Sequence, residues 1–116
     1  MQLIYKDRDV QKILEEACKI QRKMGKEFTK TLIRRTNELR ATKNFNEYLT
    51  QIGLGKPHPL KGNLDRCYGI HISSNYRLVV EPISENLDME SLKKCEVLNI
   101  KGVLEYHDGK NEWIIP

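Results

Sequence analysis

Residues 68–80 read YGIHISSNYRLVV, which is two runs of strand-forming residues around a polar turn at Ser74-Asn75. Side chains alternate between the two faces of a strand, so each run has one apolar face and a second face that carries His71 or Arg77. The pattern predicts strands over about 68–73 and 76–83, at the centre of the fold.

The upstream half of the chain predicts helices. After a short strand at 3–5, a helix capped by Asp7 or Asp9 runs to about residue 24 and ends at Gly25, and a second helix covers about 27–42. A third, short helix is expected after Asn44, through Phe45, Tyr48, Leu49 and Ile52. The expected inward-facing residues are Val10, Ile13, Leu14, Ala17 and Met24 in the first helix, and Phe28, Leu32, Ile33, Thr36 and Leu39 in the second.

The downstream part predicts more irregular structure. The expected elements are a stiff loop at 56–66, a polar connection at 84–94 with one helical turn near 88–92, a strand at about 96–106, and an apolar tail at 113–116 on the sheet edge. Helices followed by antiparallel strands indicate an α+β class. The fold expected is a small antiparallel sheet with two to three N-terminal helices packed on it, in one domain over 1–116.

Charge is distributed unevenly along the chain. Residues 1–56 carry 13 Lys and Arg against 7 Asp and Glu, residues 57–116 carry 7 against 9, and the net charge is +4. A basic first half predicts a phosphate-rich or acidic partner, although charge alone favours a solvated helix surface. Four cations recur at three- and four-residue intervals and predict a basic ridge on the second helix, a candidate RNA- or ribosome-binding surface: Lys23, Lys26, Lys30 and Arg34.

Several protein classes are disfavoured by composition. No run approaches the ~20 apolar residues of a membrane span, and the first residues lack a signal-peptide layout. We therefore expect a cytoplasmic protein without membrane contact. Three widely spaced cysteines argue against a disulfide framework. Cys67 and His71 would lie about 13 Å apart on a strand, too far to share a zinc ion, so neither a metal nor another cofactor is expected.

Two polar clusters flank the central strands, PHPLKG at 57–62 and EYH at 105–107. Two imidazoles, a lysine, an arginine and a tyrosine on one face would meet the needs of metal-free RNA cleavage. These needs are a base for the 2′-hydroxyl proton, an acid for the leaving oxygen, and cations for the phosphate charge. Plainer roles stay open at this point: His107 in a backbone hydrogen bond, His58 as an ordinary loop residue, Arg77 paired with Glu81 or Glu105, and Tyr106 in the core.

The chain resembles the RelE/ParE superfamily of bacterial toxins, in its HigB or plasmid maintenance killer branch, through four motifs in the same order: HPLKG at 58–62, YGIHI at 68–72, NYRL at 75–78 and EYH at 105–107. The resemblance covers about residues 45–107. It implies a small sheet with helices on one side, endonucleolytic cleavage of mRNA, usually on the ribosome, and a HigA-like helix-turn-helix antitoxin as partner. It places the catalytic set at His58, Lys61, Arg77, Tyr106 and His107, with Glu105 where the family usually has Asp and His71 where Arg is common.

These roles give a specific mechanism. One of His58 and His107 takes the 2′-hydroxyl proton and the other protonates the 5′-oxygen, while Lys61 and Arg77 hold the phosphate and Tyr106 orients the base. His71 joins the RNA-binding set. The same fold hosts ParE-like toxins that poison DNA gyrase without chemistry of their own, and a decayed toxin that only binds its antitoxin is a third alternative. The imidazoles favour the nuclease, since a pure binder has no need of them.

Overall fold

The computed structural model describes residues 1–51, 53–107 and 110–115. Its elements in chain order are β1 Gln2–Tyr5, α1 Arg8–Glu15, α2 Ala17–Met24, α3 Lys26–Ala41, α4 Phe45–Thr50, β2 His58–Pro59, a 3-10 turn Gly62–Leu64, β3 Tyr68–His71, β4 Tyr76–Pro82, α5 Met89–Lys93, β5 Val97–His107 and β6 Lys110–Ile115.

The strands form one sheet in the order β1-β5-β4-β3-β2, with β6 also paired to β5. All pairs are antiparallel except β1 and β5, which run parallel. The expected antiparallel sheet is confirmed except at this one pair, where a long crossover rather than a hairpin connects the two strands. The α+β class is confirmed.

The predicted loop at 56–66 contains one additional strand. His58 and Pro59 form the short edge strand β2 against Gly69 and Tyr68. The loop prediction is wrong for these two residues, because an edge strand leaves one side unpaired and so tolerates a proline that has no N–H to donate. This pairing fixes the segment before Lys61 to the sheet.

The first predicted helix is in fact two helices. The backbone leaves the helical region at Glu16 (φ −99°, ψ 84°), between α1 and α2. As a result Ala17 is exposed and Ile20 is buried, the reverse of the predicted stripe. Asp7 caps α1 by accepting a hydrogen bond from Val10 N at 2.9 Å. Gly25 ends α2 as predicted, at a φ of +91° that other residues rarely adopt.

Helix α3 buries Phe28, Leu32 and Leu39 against the sheet but turns Ile33 outward, so Ile33 was wrongly expected in the core. Arg35 takes the inward position instead, because it lies at helical spacing between Leu32 and Leu39. The next predicted helix forms as α4, capped by Asn44. Ile52 of that prediction lies outside the described residues.

The sheet has two unequal apolar faces. The helices cover one face, whose core includes Ile70, Leu78 and Ile100. On the other face, Cys67, Val79 and Leu104 form a smaller buried cluster, packed against Leu60, Leu64 and Tyr106. We call this second face the open face. It carries the alternate side chains of β3, β4 and β5 that do not face the helices.

The last third of the chain follows the sequence prediction closely. Asp88 caps α5 by accepting from Ser91 N, at the predicted helical turn. The tail pairs with β5 as β6, with Ile115 fully buried and Trp113 partly exposed, which confirms that it packs on the sheet; Pro116 lies outside the described residues. Within the described ranges, every helix is too short or too polar to cross a membrane.

Candidate functional site

Arg77 is held in place by the turn that precedes it. Its Nη1 donates hydrogen bonds to the carbonyls of Ser73 (2.7 Å) and Tyr76 (2.9 Å). Neither carboxylate considered from the sequence is its partner, because Glu81 pairs with Lys101 at 3.2 Å and Glu105 lies on the other face of the sheet. Among the described residues, no hydrogen bond from Arg77 Nε or Nη2 is found. The guanidinium therefore has one braced nitrogen and a second edge available to an anion.

Tyr106 forms the floor beneath Arg77. The guanidinium carbon lies 5.4 Å from the centre of the Tyr106 ring, a cation–π distance. Tyr106 N donates to Asn75 O at 2.7 Å, which ties β5 to the same turn. Burial raises the pKa of the Tyr106 hydroxyl, and the Arg77 charge partly opposes this rise. The phenol is thus neutral at cellular pH and offers a ring and a hydroxyl donor.

His71 stands opposite Arg77 in the β3–β4 register, so both side chains emerge on the open face. Its backbone is fixed on both sides: His71 N donates to Gly55 O at 2.7 Å, and Arg35 Nε donates to His71 O at 2.9 Å. Burial, and after it the nearby charges of Arg77, Arg35 and Lys56, lower the pKa of His71. The imidazole is therefore neutral near pH 7 and can accept a proton.

His58 lies on the open face as well. A Cβ built on its register partner Gly69 would come within 3.3 Å of the His58 ring atoms Cε1 and Nε2, so the ring covers that glycine. Glycine at 69 leaves room for the imidazole, which is partly exposed. Lys61 follows three residues later, exposed at the start of the 3-10 turn. Its ammonium makes no ion pair or hydrogen bond within the described ranges.

Glu105 and His107 point away from this group. Tyr106 shares the open face with Leu104, so the period of two in β5 places its two neighbours on the helix-covered face. There His107 Nδ1 lies 3.9 Å from Glu105 Oε1. Glu105 faces Tyr76, whose pKa is raised by burial and by the Glu105 charge. The predicted convergence of all these groups on one face is therefore wrong, because consecutive residues of a strand cannot share a face.

One group of described side chains could hold a metal ion. Ligand atoms of Glu105, His107 and Glu112 lie within 4.8 Å of one another across the β5–β6 pair. Lys110 is the register partner of His107, so a cation bound there would face an ammonium. The expectation of a metal-free site stays a prediction.

Solved structures share this architecture. A YoeB/ParE toxin from Agrobacterium tumefaciens superposes with a TM-score of 0.57 at 18% identity, covering 92% of this chain and 99% of that chain. A YoeB-YefM complex from Staphylococcus aureus gives a TM-score of 0.54 at 20% identity, covering 92% and 97%. The chain has the fold of RelE/ParE-type toxins. No protein-family model matches the sequence, and no curated protein matches it.

The basic ridge predicted from the sequence has three residues on one helix in the structure, not four. Lys23 belongs to α2, not to the second predicted helix, and its ammonium donates to Ile114 O at 2.9 Å. The break at Gly25 separates it from the rest of the ridge. Lys26, Lys30 and Arg34 remain exposed on α3, as expected.

Two residues of the site's surroundings were missed from the sequence. Arg35 is buried and pairs with Glu38 at 2.9 Å while it holds His71 O. Its position inside an apolar stripe was the available signal, because a buried arginine needs partners. Lys56 was the other, with a positive φ of +41° beside Gly55 at +70°. The glycines at 53 and 55 indicated an unusual backbone there, but no pattern pointed to the effect of the Lys56 charge on the pKa of His71.

Proposed function

We propose that the chain is the toxin of a type II toxin–antitoxin system and cleaves mRNA without a metal ion, as a HigB-like member of the RelE/ParE superfamily. The observation that supports this most strongly is the guanidinium of Arg77, of which only Nη1 makes hydrogen bonds within the described residues. It lies over Tyr106 and opposite His71 in the strand register, and His58 occupies the same open face of the sheet. A protein anion would normally satisfy such a partly buried arginine, and an RNA phosphate satisfies it equally well.

The proposed reaction needs only side chains. The 2′-oxygen attacks the phosphorus and loses its proton to a base, the P–O5′ bond breaks, and an acid protonates the 5′-oxygen. The products are a cyclic or 3′-phosphate and a 5′-hydroxyl. Arg77 and Lys61 stabilise the charge on the phosphorane oxygens, and the Tyr106 ring orients a nucleobase. His58 supplies one imidazole.

His107 and Glu105 belong to the proposal only as groups at the end of β5. From the helix-covered face they could reach RNA that crosses this strand end, so their contribution depends on the path of the substrate. His107 carries no bond to the main chain among the described contacts and is exposed, which leaves it available for such a role.

A protein antitoxin is the proposed partner besides mRNA and the ribosome. A structure of the same fold has been solved as a YoeB-YefM complex, which supports a protein partner of this kind for the present chain. The exposed cations Lys26, Lys30 and Arg34 on α3 suit ribosomal phosphates. A HigA-like helix-turn-helix protein remains the specific expectation.

The test is expression of the chain alone, followed by mapping of transcript ends. Wild type should arrest growth and produce new 5′-hydroxyl ends within translated messages. Arg77→Gln should abolish these ends, whereas Arg22→Gln, an exposed arginine of α2 outside the site, should not. Intact messages together with trapped gyrase–DNA complexes would assign the chain to ParE-like poisoning. Neither effect, with antitoxin binding retained, would indicate a decayed toxin.

A further inference from the structure

We propose that His71 is the general base of the cleavage site, acting beside Arg77 on the open face, with His58 as the acid. The inference rests on the proposed ribonuclease function and names a residue that the resemblance places only among RNA contacts. Its starting point is the register, which sets His71 directly opposite Arg77 and near the β2 edge that carries His58.

The His71 ring is mounted on an unusually well-fixed piece of backbone. Its N–H is bound by Gly55 O and its carbonyl by Arg35 Nε. Arg35 is itself held by Glu38 at 2.9 Å. A catalytic base must be placed within a few tenths of an ångström, and rigid elements achieve this better than loops. His107, at the end of β5, has no comparable set of backbone hydrogen bonds among the described contacts.

Charges around His71 favour its neutral form. Arg77 faces it from β4, Arg35 from α3 and Lys56 from the segment before β2, and these cations together with burial lower its pKa. The carboxylate of Glu38 is engaged with Arg35 rather than with the imidazole. His58 from β2 and Tyr106 from β5 are further titratable groups on this face, and so is Cys67. A neutral imidazole is the form that accepts a proton.

Substrate binding would reverse this balance. A phosphodiester on the free edge of Arg77 brings a negative charge next to the imidazole, which favours its protonated form. Bound RNA therefore stabilises the protonated imidazole that forms when His71 takes the 2′-hydroxyl proton. His71 gains that proton as the P–O2′ bond forms, and His58 gives one to O5′ as the P–O5′ bond breaks, so the site returns to its starting state by exchange with water.

The test compares His71→Gln with His107→Gln in one cleavage assay on ribosome-bound mRNA. His71→Gln should lower the single-turnover rate by about 100-fold or more. Its affinity for an RNA with a 2′-deoxy sugar at the cleaved position should change little, since glutamine keeps a polar side chain there. With substrate far below saturation, where the rate reports the free protein, wild type should lose activity toward acid pH, at a pH below the ordinary histidine value of 6.5, and the variant should lose this dependence.

A purely structural role is distinguished by chemical rescue. His71→Ala should regain activity when imidazole is added, which a misfolded site would not do. Cleavage by His71→Gln at the wild-type rate would overturn the inference. So would a loss in His71→Ala that added imidazole leaves unchanged while the RNA affinity falls by the same factor. In both cases the nuclease proposal would stand. Absence of cleavage by wild type would overturn both together.

Discussion

Gly55→Ala tests the close packing between the segment before β2 and the buried core. A Cβ at this position would lie 2.5 Å from Ile70 Cγ2 and 2.8 Å from the Tyr48 hydroxyl, both in the buried core. The φ of Gly55 is +70°, which costs about 1–2 kcal/mol for a residue with a Cβ. Overpacking adds about 1–3 kcal/mol. The free energy of unfolding should therefore fall by about 2–5 kcal/mol, a large part of the ~5–15 kcal/mol available to a small domain.

Gly62→Ala is the matched control. Its φ of +71° is almost the same, but no atom of the described residues lies within 4 Å of the added methyl group. The control should lose only the conformational part, so the difference between the two variants isolates the collision with Ile70 and Tyr48. Because Gly55 O also binds His71 N, the damaging variant should displace His71 as well.

Urea unfolding followed by far-UV circular dichroism measures both variants under the same conditions. We expect a clear difference in midpoint with a similar slope. Equal losses for Gly55→Ala and Gly62→Ala would refute the packing argument, since they would mean that the segment before β2 does not press on the core. Gly55→Ala should also lower any RNA cleavage more than Gly62→Ala does.

Two other changes test the charges of the molecule. Because burial and nearby cations lower the pKa of His71, the folded chain binds fewer protons than the unfolded one, and its stability should drop as pH falls below about 6.5. His71→Gln should reduce this drop in urea titrations at several pH values, and an unchanged pH slope would contradict the assigned environment. Replacement of the three α3 cations Lys26, Lys30 and Arg34 by Gln should weaken ribosome cosedimentation and reduce its salt dependence. Unchanged binding at every salt concentration would mean that these residues are only a solvated surface.

The central strands could be predicted because their signal is local. Residues 68–80 alternate apolar and polar side chains around a turn, and the structure has strands there with Ile70 and Leu78 inward and His71 and Arg77 on the opposite face. Caps at Asp7, Asn44 and Asp88 are also local, since each side chain binds a backbone N–H three residues away. Short-range physics of this kind can be read from one sequence.

The site could be predicted only in part, because it depends on long-range pairing. The parallel β1–β5 pair and the edge strand at His58 arise from contacts between distant segments. Burial of Arg35 depends on a carbonyl 36 residues away. No pattern in residues 26–41 identifies that carbonyl, so the frame around His71 was invisible in the sequence although His71 itself was noticed.

The spacing of residues along β5 decides which of Tyr106 and His107 faces the open side. Tyr106 and His107 are consecutive, so only one of them can face the open side in any extended register, and Tyr106 takes that side through its contact with Arg77. A site built on His58 and His107 therefore requires RNA to bend around the strand end. A site built on His58 and His71 lies on the same face of the sheet as the guanidinium. Loss of cleavage in His71→Gln alone supports the open-face site, and loss in His107→Gln alone supports a site at the end of β5. The activity of a gyrase poison would be unchanged by either substitution.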